Sequence, residues 1–150
     1  MKKQTLMIVA TVSFLIALST VSAFAQIVNR VDAKIPFEFS VSNQTLPAGN
    51  YTLGKMMSTS SVLVRNKDQK VALASIAIVT TGNKEAAATQ LIFHRYGNQY
   101  FLARIEMEGR ENGLTLPKTK AERVAAQKAS ERHLANSGGA PEIVTVPASL

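Results

Sequence analysis

The chain has 150 residues, 46% apolar and 18% charged, which suits one domain with its own core and is too short for two ordinary ones. It contains no cysteine, and this excludes a thiol nucleophile, a disulfide scaffold, a cysteine-ligated zinc site and lipid attachment through cysteine. Net charge is +7, or +5 once Lys2 and Lys3 are set aside (15 Lys and Arg against 10 Asp and Glu). So small an excess fits mixed surface charge that maintains solubility and does not point to nucleic acid.

Lys2 and Lys3, the apolar stretch from Leu6 to Leu18, and Ala23-Phe24-Ala25 before Gln26 carry the three parts of a cleavable secretory signal in order. Thr11, Ser13, Ser19 and Thr20 interrupt the apolar character, which argues against an uncleaved anchor needing about 20 apolar residues. The expectation is export to the periplasm or the exterior, with no stable membrane insertion after cleavage. The division expected is a signal over 1–25, a β domain over 26–117, a helix over 118–135 and a flexible tail over 136–150.

Val31, Ala33 and Ile35, then Phe37, Phe39 and Val41, alternate with polar neighbours at the period of a half-buried strand. The segment from Asn43 to Asn50, with Pro47 and Gly49, reads as a turn into a strand at Tyr51–Leu53. Residues 61–65 and 70–80 flank a polar Asn-Lys-Asp-Gln connector, the arrangement of a hairpin. The second run is apolar on both alternating faces, so it is expected as one central strand covered on both sides.

Residues 88–96 and 99–108 flank Gly97-Asn98, a dipeptide suited to a two-residue hairpin turn. That turn pairs Tyr96 with Gln99, Arg95 with Tyr100, His94 with Phe101 and Phe93 with Leu102. Strict alternation then places Ile92, His94, Phe101 and Ile105 on one face, with Phe93, Arg95, Tyr100, Leu102 and Arg104 on the other. After a loop over 109–117, Thr119 and Glu122 form a capping box for an alanine-rich helix to about Ala135, with Ala121, Val124, Ala125 and Ala129 as its apolar stripe. Gly138, Gly139 and Pro141 end it, and Glu142–Val146 reads as a free tail or, alternatively, an added edge strand. The fold expected is all-β: an antiparallel β-sandwich or small barrel of about seven strands with one C-terminal helix.

His94, Arg95, Tyr96 and Tyr100 are the candidate binding residues. Neighbouring strand residues point to opposite faces, so His94 and Arg95 do not readily converge on one ligand, and a general-base role for His94 has no partner in the local sequence. Glu106 and Glu108 form an i, i+2 carboxylate pair that reads as solvated residues at a strand end. Two separated histidines without cysteine point to no metal, and no phosphate-cradling loop or serine-nucleophile motif is present, so no cofactor and no enzymatic activity are expected. The basic helical positions Lys118, Lys120, Arg123, Lys128 and Arg132 lack the large apolar residues that membrane insertion needs.

IPFEFSVSNQTLPAGNYTL, followed by LIFHRYGNQYFLARI and LPKTKAER, resembles a family of short exported bacterial β-domain proteins without an assigned activity. The likeness spans about residues 30–125, and it implies export and a β domain but no substrate, cofactor or catalytic residue. The functional expectation is a non-enzymatic secreted or periplasmic domain that binds, or associates structurally with, an envelope or extracellular partner. The alternative is a small β-barrel carrier whose Ile76, Ile78, Ile92, Phe101 and Ile105 line a space for an apolar ligand.

Overall fold

Val31, Ala33 and Ile35 are buried while Lys34 is exposed, and this alternation forms the first strand of a computed structural model that describes residues 27–56, 60–68, 72–81, 84–133 and 140–150. The expected signal over 1–25 lies outside the described residues. The strands are β1 (Ile27–Ile35), β2 (Phe39–Val41), β3 (Gln44–Leu46), β4 (Gly49–Met56), β5 (Ser61–Asn66) and β6 (Ala72–Ile76). They continue with β7 (Ile78–Thr81), β8 (Gln90–Tyr96), β9 (Gln99–Glu106), β10 (Asn112–Thr115) and β11 (Glu142–Ser149), and one helix, α1 (Lys120–His133), precedes β11. The described chain is thus mostly β with one helix, and its strands form a single curled, open sheet.

The order across the sheet is β3-β2-β9-β8-β11-β1-β4-β5-β6, with β10 joining β9 to β7. Among the named strands pairing is antiparallel except at Ser40 and Phe101, where β2 meets β9 in parallel. The concave side buries Val31, Ile35, Phe39, Tyr51, Leu53 and Phe93 in one core. Each such side chain contributes about 1.5–3 kcal/mol by leaving water. Phe39 meets Tyr51 and Phe93 edge-on at 5.1 and 5.5 Å, which fixes ring packing where three strands converge.

Among the described residues eleven strands form where about seven were expected. Ser42 and Asn43 both take positive φ (49° and 66°), the twist of a tight hairpin turn, so the Asn43–Asn50 segment holds the short strand β3 before Pro47. The 109–117 loop contains β10, whose Leu114 is buried against the core. The run over 70–80 is not one central strand: among the described residues it splits at Ala77 into β6, paired with β5, and β7, paired with β10. Ala77 is buried at this corner, and its N–H donates to the Ser60 carbonyl oxygen at 2.9 Å. Ile76 and Ile78 on either side are 67% and 60% exposed, so the segment lies at an edge.

The hairpin of β8 and β9 has the four expected pairs, and Gly97 at its tip has a φ of +63°. Beyond Phe93 a β-bulge shifts the register, pairing Ile92 with Arg104 and Leu91 with Ile105. One extra residue on β9 exchanges the faces that strict alternation assigned: Ile105 joins Leu91 and Phe93 in the core, and Arg104 joins Ile92 on the outer side.

Of the flexible tail expected over 136–150, the described residues 140–150 hold a strand instead. Residues 142–149 form β11, which pairs with β8 from Glu142↔Arg95 to Pro147↔Gln90 and with β1 at Asp32↔Ser149 and Ala33↔Ala148. Two open strand edges supply the backbone partners that the segment lacks locally, and Val146 is buried in the gap it fills.

Candidate functional site

Alternation along β8 sends His94 and Tyr96 toward α1 and Arg95 to the opposite face, where it lies across from Tyr100. The four candidate residues therefore form two groups. On the α1 side, Nδ1 of His94 lies 2.7 Å from Oε1 of Glu122, with the side chains 22% and 4% exposed. The Tyr96 ring packs edge-on to Phe101 at 6.0 Å, and its hydroxyl accepts a long hydrogen bond from Lys118 Nζ at 3.5 Å. Ala125 closes this small cluster, with Ala126 and Ala129 against it.

On the other face, Arg95 Nε donates to the Gly97 carbonyl oxygen at 2.8 Å, and Nη1 donates to the Glu142 carboxylate at 3.2 and 3.3 Å. The guanidinium stands 5.4 Å from the Tyr100 ring centre, and Tyr100 stacks on Phe37 at 4.0 Å. Arg95 is thus committed to bracing the hairpin tip and β11.

Glu122 is the residue that the helix-start pattern misassigns. Thr119 does cap α1, its Oγ1 accepting from the Glu122 N–H at 3.1 Å, but the Glu122 side chain turns to His94. The stripe facing the sheet is accordingly Glu122, Ala125, Ala126 and Ala129, while Val124 is 43% exposed. A carboxylate at the first position of an i, i+3, i+4, i+7 series was the available signal.

Two other polar clusters are built around ion pairs. Glu106 accepts from Gln90 Nε2 at 2.9 Å and lies 3.1 Å from Arg104 Nε; β9 ends at Glu106, so Glu108 does not share its strand face. Asp32 accepts from Thr52 Oγ1 at 2.6 Å and pairs with Lys67 and Arg30 at 2.9 and 3.1 Å. Burial alone would raise the Asp32 pKa, but the Thr52, Lys67 and Arg30 contacts outweigh it and bring the value from 3.8 down to about 2.

Two large concavities lie along α1. A trough of about 470 Å³ lies between the helix and the hairpin tips, lined by Asn43, Gln99, Lys120, Ala121, Ala125 and Lys128. Beyond Lys128 a second hollow of about 430 Å³ reaches Tyr96 and Asn98. The five residues of the expected carrier interior are not gathered in one space: Ile76 and Ile78 are exposed, Ile92 lies on the outer side with Arg104, Phe101 packs beneath α1 and Ile105 belongs to the main core. Among the described residues no cluster of three or more His, Cys, Asp or Glu could hold a metal ion, and no helix is long and apolar enough to cross a membrane. A scan against family models and searches of curated proteins and solved structures found no match to this chain.

Proposed function

We propose that the protein is an exported, non-enzymatic β domain that works by binding, or by structural association, at the cell envelope. The trough along α1 carries this reading. Its volume of about 470 Å³ falls within the ~300–1,000 Å³ typical of ligand sites. Its lining offers two ammonium groups, from Lys120 and Lys128, and two amides, from Asn43 and Gln99, beside the apolar Ala121, Val124 and Ala125. Among the described residues its lining offers cationic and amide groups, which suit holding a partner.

Affinity capture from the native envelope tests the reading, with the mature protein compared against Ala121→Trp, which fills the trough from an exposed helix position. A partner retained reproducibly by the first and lost by the second is the expected result. No retention, or equal retention by both, counts against it. The export part rests on the order of charge, apolar stretch and small residues before Gln26. N-terminal sequencing of the exported protein should begin at Gln26.

The same reading takes the curled sheet as a small barrel. The bend at Ala77 lets residues 72–81 pair with β5 through their first half and with β10 through their second, so the pairings follow one another round. The residue motifs at 35–53, 91–105 and 116–123 fit membership of the exported β-domain family that they resemble.

A further inference from the structure

A smaller cleft lies between the β2–β3 turn, the end of β6 and the start of α1, and the trough reading makes no use of it. Its volume is about 190 Å³, below the ~300 Å³ at which drug-sized sites begin, so it suits a single small ring. Val41, Phe101, Leu102 and Leu116 give it an apolar floor of buried side chains. Ser40, Ser42, Asn43, Ser75 and Thr119 add five neutral polar groups to its wall. Its two charged residues, Lys118 and Glu122, have opposite sign, so the lining selects neither an anion nor a cation.

Several of these groups are oriented by the protein while retaining hydrogen-bonding capacity. Ser75 Oγ donates to the Ile76 carbonyl oxygen at 3.3 Å and keeps its lone pairs. Thr119 Oγ1 accepts from the Glu122 N–H and keeps its proton. Ser40 Oγ lies 3.4 Å from Thr45 Oγ1, a bond that uses one position on each hydroxyl. Glu122 is 3% exposed, and His94 engages only Oε1 of its carboxylate. The wall thus presents donors, acceptors and one buried carboxylate above an apolar floor.

A ligand with hydroxyls around its rim and C–H groups on its face matches that combination. We infer that this cleft is a site for one neutral sugar ring, with Glu122 accepting from ring hydroxyls and Val41, Phe101 and Leu116 packing against the ring face. The inference goes beyond the trough reading and does not depend on it.

The test is an NMR titration of the ¹⁵N-labelled mature protein with D-glucose, D-galactose and N-acetyl-D-glucosamine. Sodium acetate and methylammonium chloride serve as charged probes at constant ionic strength. The expected result is saturable shifts confined to residues 40–43, 75–76 and 116–122, with at least one sugar binding at millimolar concentration. Glu122→Gln, which keeps the shape and removes the charge, should weaken that binding about ten-fold or more. Ser75→Ala, outside the helix, should weaken it by a smaller factor and serves as the comparison if the Glu122 variant loosens α1. No saturable shift with any sugar, saturation only by acetate or methylammonium, or undiminished sugar affinity in both variants would overturn the inference.

Discussion

The Tyr51 hydroxyl donates to the Pro47 carbonyl oxygen at 2.6 Å and ties β4 to the chain that enters it. Burial raises this phenol's pKa; a hydrogen bond with Asn66 opposes the shift and the nearby Asp68 carboxylate adds to it, so the group remains a donor. Tyr51→Phe keeps the packed ring and should cost about 1 kcal/mol in urea unfolding, the usual net worth of one hydrogen bond. Asp32 makes the stability depend on pH. Its folded-state pKa lies below the ordinary 3.8, so its contribution is fully present above that value and is lost as pH falls through about 2. Exposure of Arg30 and Lys67 to solvent limits this contribution to the order of 1 kcal/mol. The stability gap between wild type and Asp32→Asn should therefore be open at pH 6 and closed near the bottom of that range. Gly97 separates conformational strain from crowding, because no atom lies within 4 Å of a Cβ added there while its φ is +63°. Gly97→Val should cost about 1 kcal/mol or more, and Gly97→Asn much less, since asparagine tolerates that backbone region.

At the scale of elements, β11 makes the sharpest prediction. It supplies backbone partners to both β8 and β1, so deleting residues 136–150 should open the sheet between them. The melting temperature should fall by several degrees or more, each kcal/mol being worth about 2–8 °C in a domain of this size. An unchanged melting temperature would mean that the sheet closes without this strand. The same strand marks the limit of what local pattern reveals. The hairpin around Gly97 was legible because its signals, a period of two and a turn dipeptide, lie within a few residues of one another. Glu142–Val146 carried strand propensity, but its partners are remote in the chain and no local periodicity names them. The bulge at Ala103 and the corner at Ala77 were hidden for a related reason: alternation records which residues are apolar but not where one residue is inserted or where a strand changes partners. His94 and Tyr96 were legible as facing away from Arg95 and Tyr100, whereas the Glu122 link required knowing where the helix docks.

Across the whole molecule, stabilisation is uneven. The large core beneath the sheet is separate from the small cluster of Tyr96, Phe101 and Ala125 that seats α1, and the link between His94 and Glu122 is the main polar tie across that seam. Helix α1 should therefore open before the sheet does, and native-state hydrogen exchange should show its amides exchanging at clearly lower free energy than those of β8. Equal protection in both would imply one cooperative unit. The place of β11 also bears on timing. The strand that fills the gap between β1 and β8 follows every other described strand in chain order, so no earlier portion of the chain can complete the sheet before residues 142–149 are present. Pairing β1 with β11 closes a loop spanning nearly the whole described chain, which is a slow step. Under the export proposed above, this delay would keep the polypeptide pliable while it was threaded through a membrane, and residues 142–149 would complete the sheet only on the far side.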